Sequence, residues 1–325
     1  MISLGLEGTA HTFGCGIVNE KGEILSNEKS SYIAPLGKGI IPTDAAEHHS
    51  KVKEEILRRS LEKADITMRD IDVIAYSAGP GLAPCLLVTA NFAEKISTDY
   101  NKPLVPVHHG VGHIEIGRLT TGAKDPIIVY LSGGHTAIIG YTEGYYKIFG
   151  ETENITLGNV VDMLAREIGL SSPGGPYIEK LALKGNFVEL PYTVKGCDLS
   201  FSGTLTAAIN KLKRGIPKED ICYSVQETCF SMVVEVTERA LAHTGKNEVL
   251  LVGGVAANKR LQNMFDVMVG ERGGKLYVVP HEYSGDQGAM ISWVGLLSYK
   301  SGWSSNLKDK INPRWRIDEI KINWF

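Results

Sequence analysis

The sequence predicts an α/β protein of two duplicated lobes with a ligand cleft between them, and three observations carry that prediction. Apolar runs of strand length alternate with amphipathic helical stretches along most of the chain, the pattern of sheets covered by helices. The 325 residues exceed the usual span of one domain, roughly 100–200 residues, and suffice for two cores. A strand, glycine turn and second strand also occur twice, as LGLEGTAHT near the start and as VYLSGGHTA more than a hundred residues later. A repeat at that spacing is too long for a solenoid and fits two homologous lobes, with ligands in the cleft they form.

The opening ISLGLEGTAHTFGCGIVNEKGEIL reads as a meander of three strands, broken at Gly8 and at Lys21-Gly22. From Asp44 to about Ala64 the pattern DAAEHHSKVKEEILRRSLEKA is helical. IDVIAYSA is a buried strand ending in the turn GPGLAP, CLLVTANFAEKIS is the next helix, and strand-like PLVPV leads into HHGVGHIEIGR. The second unit repeats the theme, since DPIIVYLSGGHTAIIGYTEGYYKIFG is again strand, glycine turn, strand, turn and strand. Helical stretches follow from Gly158 to Leu170, from Tyr177 after the loop SSPGGP, and from Lys218 to His243. NEVLLVGGVAANKRLQNMF is a strand, a double glycine and a helix; LYVVPHEYSGDQGAMISWVGLLSYK is a strand, a loop and an apolar helix that returns to the first lobe. These readings divide the chain into a first lobe, 1–120, a second lobe, 121–283, and a terminal helix and tail, 284–325, that rejoins the first.

A hydrophobic share of 43% and a charged share of 22% describe a globular chain, neither disordered nor fibrous. The start lacks a basic region followed by a continuous apolar run, so no signal peptide or membrane anchor is expected and the cytoplasm is the expected compartment. Five cysteines, Cys15, Cys85, Cys197, Cys222 and Cys229, are an odd number without C-x-x-C spacing, which argues for buried small hydrophobes over a disulfide framework or a zinc knuckle. A net charge of −3 with no basic block excludes a protein that grips nucleic acid unaided. Arg58 with Arg59, Lys211 with Lys213 and Arg214, and Arg314 with Arg316 are the local basic patches, and solvated faces are their ordinary reading.

Glycine turns at strand ends let backbone N–H groups approach an anion, so GLEGT and LSGGHT point to a phosphate or nucleotide. In GGVAAN, helix amides and the side chain of Asn258 are expected to meet that nucleotide, and Glu179, after SSPGGP, to accept from ribose hydroxyls. His109 and His113 stand four residues apart, about one helical turn, close enough to share a metal. Asp286, in SGDQGAM, is the third ligand, leaving coordination positions open for substrate. A zinc-protease helix needs Glu directly after its first histidine, and Gly110 stands there instead. Glu7, in the first glycine turn, is the candidate general base, with a purely structural role as the alternative.

Taken in order, GLEGTAHTFG, HHGVGH, YLSGGHT, SSPGGPYIEK, DLSFSGTLTA, GGVAANKRL and SGDQGAMI resemble the universal tRNA adenosine threonylcarbamoyltransferase family over nearly the whole chain. YSVQETCFSMVVEVTERALAH and INPRWRIDEIKINW resemble its archaeal and eukaryotic branch, which supplies the central subunit of the KEOPS complex. The resemblance implies the fold of actin, Hsp70 and sugar kinases, with two ribonuclease-H-like lobes around a nucleotide cleft. It implies transfer of threonylcarbamoyl from threonylcarbamoyl-AMP to the exocyclic amine of the tRNA adenosine beside the anticodon. The metal ligands it implies are His109, His113, Tyr130 and Asp286 around one divalent ion, iron or zinc. Its nucleotide contacts fall on Tyr130, Leu131, Ser132, Gly133, Gly134, Asp162, Gly175, Glu179 and Asn258, for an ATP- or AMP-type ligand or threonylcarbamoyl-AMP itself. The implied partners are tRNAs reading codons that begin with A, a small protein kinase/ATPase subunit and the other KEOPS subunits. Two positions depart from the pattern: Gln287 stands where Asn is usual, and Thr43 where a basic residue is expected. Without that resemblance, a phosphotransferase or ATPase of the same fold is the competing reading.

Overall fold

The computed structural model describes residues 1–34, 39–171, 173–302 and 309–325. It divides into two compact units, one of Met1–Thr120, Glu143–Tyr146 and Gly285–Phe325, the other of Thr121–Thr142 and Lys147–Ser284.

The first unit opens with the expected meander, β1 (Ile2–Glu7), β2 (Thr12–Asn19) and β3 (Ile24–Ser31), joined by antiparallel pairing. Helix α1 (Pro42–Ala64) begins two residues before the expected Asp44, because Pro42 fits the first helical turn, and ends where Asp65 turns left-handed at φ 54°. The parallel strands β4 (Val73–Gly79) and β5 (Leu104–His108) flank α2 (Ala83–Tyr100), and α3 (His109–Thr121) starts directly at the end of β5. The sheet order is β3-β2-β1-β4-β5.

The second unit contains β6 (Ile127–Leu131), β7 (Thr136–Thr142) and β8 (Tyr145–Glu151), then α4 (Leu157–Glu167), which stops short of Leu170 because Gly169 adopts φ 78°. Helix α5 (Gly175–Ala182), the short hairpin β9 (Val194–Lys195) and β10 (Asp198–Leu199), α6 (Ser202–Lys213) and α7 (Lys218–Thr244) follow. After β11 (Glu248–Val252) the chain makes a short 3-10 turn, Gly254–Ala257, before α8 (Lys259–Glu271), β12 (Lys275–Val278) and α9 (His281–Ser284). This sheet runs β12-β11-β6-β7-β8, with β6–β7 antiparallel and β6–β11–β12 parallel. Each unit therefore holds a meander edge extended by two parallel strands, the duplication that the repeated glycine turn announced.

Helix α10 (Gly288–Lys300) belongs to the first unit and packs on β1, β2 and β4. Its approach is unusually close: a side chain on Gly16 would lie 2.1 Å from the Ala289 nitrogen, and one on Gly5 2.1 Å from the Ser292 nitrogen. Only glycine allows backbone to lie on backbone there. The core of the second unit gathers Ile127, Val129, Leu157, Phe230, Val249 and Phe265 from the sheet and its helices.

Cys15, Cys85, Cys222 and Cys229 are free and buried, and Cys197 is free and half-buried, as small hydrophobes should be. Among the described residues no helix is long and apolar enough to cross a membrane. Arg58 pairs with Glu55 and Glu62, Arg59 with Glu28, and Arg316 with Asp318, so these arginines are ion-paired surface groups.

Candidate functional site

His109 and His113 lie in the first two turns of α3 and point the same way, because residues four apart share a helix face. Their rings meet nearly edge to face with centroids 4.7 Å apart. Asp286 comes from far along the chain, just before α10, and is brought in by the close seating of that helix on the glycines of β1 and β2. The three side chains are the one group of histidine, cysteine or acidic residues among the described residues whose ligand atoms all converge. Nε2 of His113 is 3.2 Å from Nε2 of His109 and 3.3 Å from Oδ1 of Asp286, while His109 Nε2 is 3.5 Å from that oxygen. Ligand atoms about 2.0–2.2 Å from a tetrahedral ion stand roughly 3.3–3.6 Å from one another, so the spacing fits a first-row divalent metal.

The first glycine turn orients this trio. Glu7 Oε1 accepts the backbone N–H of Thr9 at 2.8 Å and its hydroxyl at 2.6 Å. Glu7 Oε2 is then held 3.1 Å from His109 Nδ1, and Thr9 Oγ1 stands 3.3 Å from the same nitrogen. A carboxylate can only accept, so Nδ1 carries the hydrogen and the Nε2 lone pair faces His113 and Asp286. Glu7 was a candidate general base, but its side chain is fully buried and both oxygens are engaged inside the protein. That position suits an orienting group behind a ligand rather than a proton acceptor for substrate.

The electrostatics favour positive charge at the point of convergence. Burial works against a charged His109, yet the Glu7 carboxylate outweighs it and pushes the ring up to about 9. Burial, with the neighbouring His109 adding to it, holds His113 below its ordinary value despite its bond to Asp286. Burial pushes the Asp286 carboxyl up, but the His113 hydrogen bond and the His109 charge hold it well below the usual carboxylate range. A cation bound by this trio would compete with a proton for the His109 Nε2, beside the Asp286 carboxylate.

In the second unit Ser132, Gly133 and Gly134 follow the C-terminal end of β6 and Asn258 follows that of β11, the edge at which open α/β sheets bind ligands, while Asp162 lies on α4 and Gly175 and Glu179 on α5. Ser132, Gly133 and Gly134 form the turn after β6; Ser132 Oγ accepts the N–H of His135 at 3.0 Å and that of Gly134 at 3.3 Å. Gly133 and Gly134 are exposed, and a side chain on either would meet nothing within 4 Å. Helix α4 starts against this turn, with Thr156 Oγ1 donating to the Gly133 carbonyl at 2.8 Å. Leu131, at the end of β6, is buried, and its carbonyl is met by Gly253, whose φ of 90° bends the end of β11 toward it. Tyr130 is buried in β6 with its ring stacked on His135, centroids 5.1 Å apart.

The other side chains first fix the loops. Asp162 accepts the Gly174 N–H at 2.7 Å, which sets the start of α5 at Gly175. Glu179 accepts the Lys259 N–H at 2.7 Å, tying α5 to the start of α8. Asn258, expected to reach a nucleotide with its amide, caps α8 by accepting the Leu261 N–H at 3.0 Å and donates to Gln226 Oε1 at 2.7 Å. Sequence reasoning missed Thr9 and Gln226. Thr9 was legible in principle, since a Thr two residues after an acidic strand end is a common local hydrogen-bond partner. Gln226, mid-helix in α7, gave no signal.

Residues 23–293 match the family model described as tRNA N6-adenosine threonylcarbamoyltransferase. A protein of that name from Caldivirga maquilingensis is 51% identical over all of this chain and 98% of its own length. In Thermoplasma acidophilum a probable bifunctional tRNA threonylcarbamoyladenosine biosynthesis protein is 52% identical over all of this chain but 61% of its own length. Among solved structures, T. kodakarensis HypF superposes with TM-score 0.66 at 17% identity, over 93% of this chain and 48% of that one. At that identity the likeness speaks for the fold alone, which is of the actin, Hsp70 and sugar-kinase kind.

Proposed function

Because this chain belongs to the tRNA N6-adenosine threonylcarbamoyltransferase family, we propose that it moves the threonylcarbamoyl group of threonylcarbamoyl-AMP to the exocyclic amine of the tRNA adenosine beside the anticodon. The observation that carries the reading is the convergence of His109, His113 and Asp286, with Glu7 orienting the first of them. These residues would hold one divalent ion, iron or zinc, with Tyr130 as a fourth ligand on the family resemblance. When bound, such an ion supplies Lewis-acid polarisation of the acyl phosphate.

The residues of the chain do the rest. The turn Ser132–Gly133–Gly134, with its exposed backbone, suits the phosphate of the donor, and the start of α5 at Gly175 and Glu179 suits its ribose. Asp162 and Asn258 keep those loops in place. With the donor so held, the adenosine amine forms a bond to the carbamoyl carbon as the bond from that carbon to the phosphate oxygen breaks. AMP leaves with the electron pair of the broken C–O bond, and the proton lost by the amine passes to solvent water. Glu7 acts through His109 rather than on the amine, because no part of it is exposed.

The net charge of −3 supports a division of labour in which partner subunits, a small kinase/ATPase among them, supply much of the tRNA grip. The name and extra length of the bifunctional T. acidophilum relative are in keeping with such a second component. Purified chain with its partner subunits, threonylcarbamoyl-AMP and tRNA should yield modified adenosine, and elemental analysis should find about one metal per chain that His113→Ala loses. Persistent absence of product, or equal metal content in the variant, refutes the reading.

A further inference from the structure

The C-terminal tail, residues 309–325, touches the chain just before the histidine-bearing helix α3, at His108, and again on the helix itself, at Glu115 and Arg118. It is first tied to the end of β4, where the Asn312 N–H donates to the Ala78 carbonyl at 2.7 Å and the Gly81 N–H to the Pro313 carbonyl at 3.2 Å. The Trp315 carbonyl then stands 3.0 Å from Nε2 of His108, the residue directly before His109, and the two rings meet edge to face at 5.3 Å. Further on, Ile322 N–H donates to the Gly144 carbonyl at 2.7 Å. Farther along α3, the Trp324 indole N–H donates to Glu115 at 3.0 Å, and the Phe325 ring lies 4.0 Å from the Arg118 guanidinium.

Glu115 is the hub of this second contact. It sits on α3 two residues beyond His113 and is 2% exposed. Besides Trp324, it accepts the Tyr146 hydroxyl at 2.6 Å and Arg118 Nη1 at 3.0 and 3.2 Å. A buried carboxylate is tolerated only when its lone pairs are met, and several donors of fixed direction define one rotation and one height for the helix that carries it. Helix α3 needs such a hold, because Gly110, Gly112 and Gly117 give it little propensity of its own.

We propose that the C-terminal tail positions the metal site: Trp324 on Glu115 within the helix, and Trp315 on His108 directly before it, fix α3 so that His109 and His113 present Nε2 to one point. Trp324 and Glu115 are positioning residues, and the proposal rests on reading the His109, His113 and Asp286 trio as a metal site. The test compares the full chain with Trp324→Phe, which keeps the packing and removes the indole donor, with Glu115→Gln, and with a chain lacking residues 321–325. Amide hydrogen exchange along α3 and zinc affinity by chelator competition are read beside the melting temperature. Expected are exchange in α3 at least tenfold faster and zinc binding roughly tenfold weaker or more in each variant, with Trp324→Phe melting within a few degrees of wild type. Unchanged exchange in α3, or unchanged zinc affinity once α3 has loosened, overturns the proposal. If the shortened chain does not fold, Trp324→Phe decides. If the wild type itself binds no zinc or iron, the metal reading fails, and the exchange data alone decide whether the tail holds α3.

Discussion

The two glycine turns occupy the same place in their sheets, each after the first strand of a meander, yet they are spent differently. In the first, Glu7 and Thr9 are buried and bonded to each other and to His109, and a side chain on Gly8 would lie 2.0 Å from Thr89 Oγ1. In the second, Gly133 and Gly134 are exposed, and nothing stands within 4 Å of a side chain placed on either. One turn has become the rear support of His109; the other leaves its backbone exposed. Duplication conserves the path of the chain, whereas function follows from what each turn faces.

Substitutions can break this comparison. The largest effect is expected at the trio itself: His113→Ala should weaken divalent-metal binding by more than about a hundredfold and abolish transfer, read by elemental analysis and product assay. Next, Glu7→Gln should cost about 10–100-fold in metal affinity by loosening the His109 tautomer, while Ser132→Ala in the second turn leaves metal affinity unchanged. Equal losses in both variants would erase the distinction.

Acid should also find the first turn. His49 is fully buried beside Gly8, and burial, opposed by the Glu7 charge, pushes its ring down to about 4. The unfolded chain takes up a proton near pH 6.5 that the folded ring refuses, so stability falls as pH drops from 6.5 toward 4 and is unaffected above that window. Between pH 6.5 and 5 the loss should be about 2 kcal/mol, measured by denaturant unfolding, and His49→Phe should flatten that slope. A comparable slope in the variant would assign the acid loss elsewhere.

The smallest effects separate the turns by packing alone. Gly8→Ala must displace Thr89, which is held by bonds to the Gly8 and Cys85 carbonyls, and should cost about 1–3 kcal/mol. Gly134→Ala meets open space and should stay within about 0.5 kcal/mol of wild type in thermal unfolding. It should still lower affinity for an adenine nucleotide, read by calorimetry. Similar destabilisation by both changes would mean that the two turns are equally packed.

Much of the fold was legible because it is periodic. Strands with continuous apolar runs, helices with amphipathic periodicity and the repeated turn at Gly8 and Gly133 are all local patterns, so the duplicated α/β architecture and most of the longer helices could be read directly. Two boundary shifts were of the same local kind, since α1 starts at Pro42 and α4 stops before Gly169, whereas α6 and the β9–β10 hairpin were not read at all. The spacing of His109 and His113 announced a shared helix face, and the structure adds the distances at which their nitrogens converge.

What the sequence determined by itself, then, is which residues can carry chemistry and on which elements they sit, because composition and periodicity act over a few residues. Tertiary structure alone decided how those residues are used. Asp286 reaches His113 only because Gly5 and Gly16 let α10 lie directly on the sheet. Glu7, a strand-end carboxylate in the sequence, becomes a buried partner of His109 because Thr9 fills one of its oxygens and α3 meets the other. Trp324 reaches Glu115 across 209 positions of chain. Such contacts depend on packing and on the need to satisfy every buried polar group, and neither leaves a mark in a short stretch of sequence.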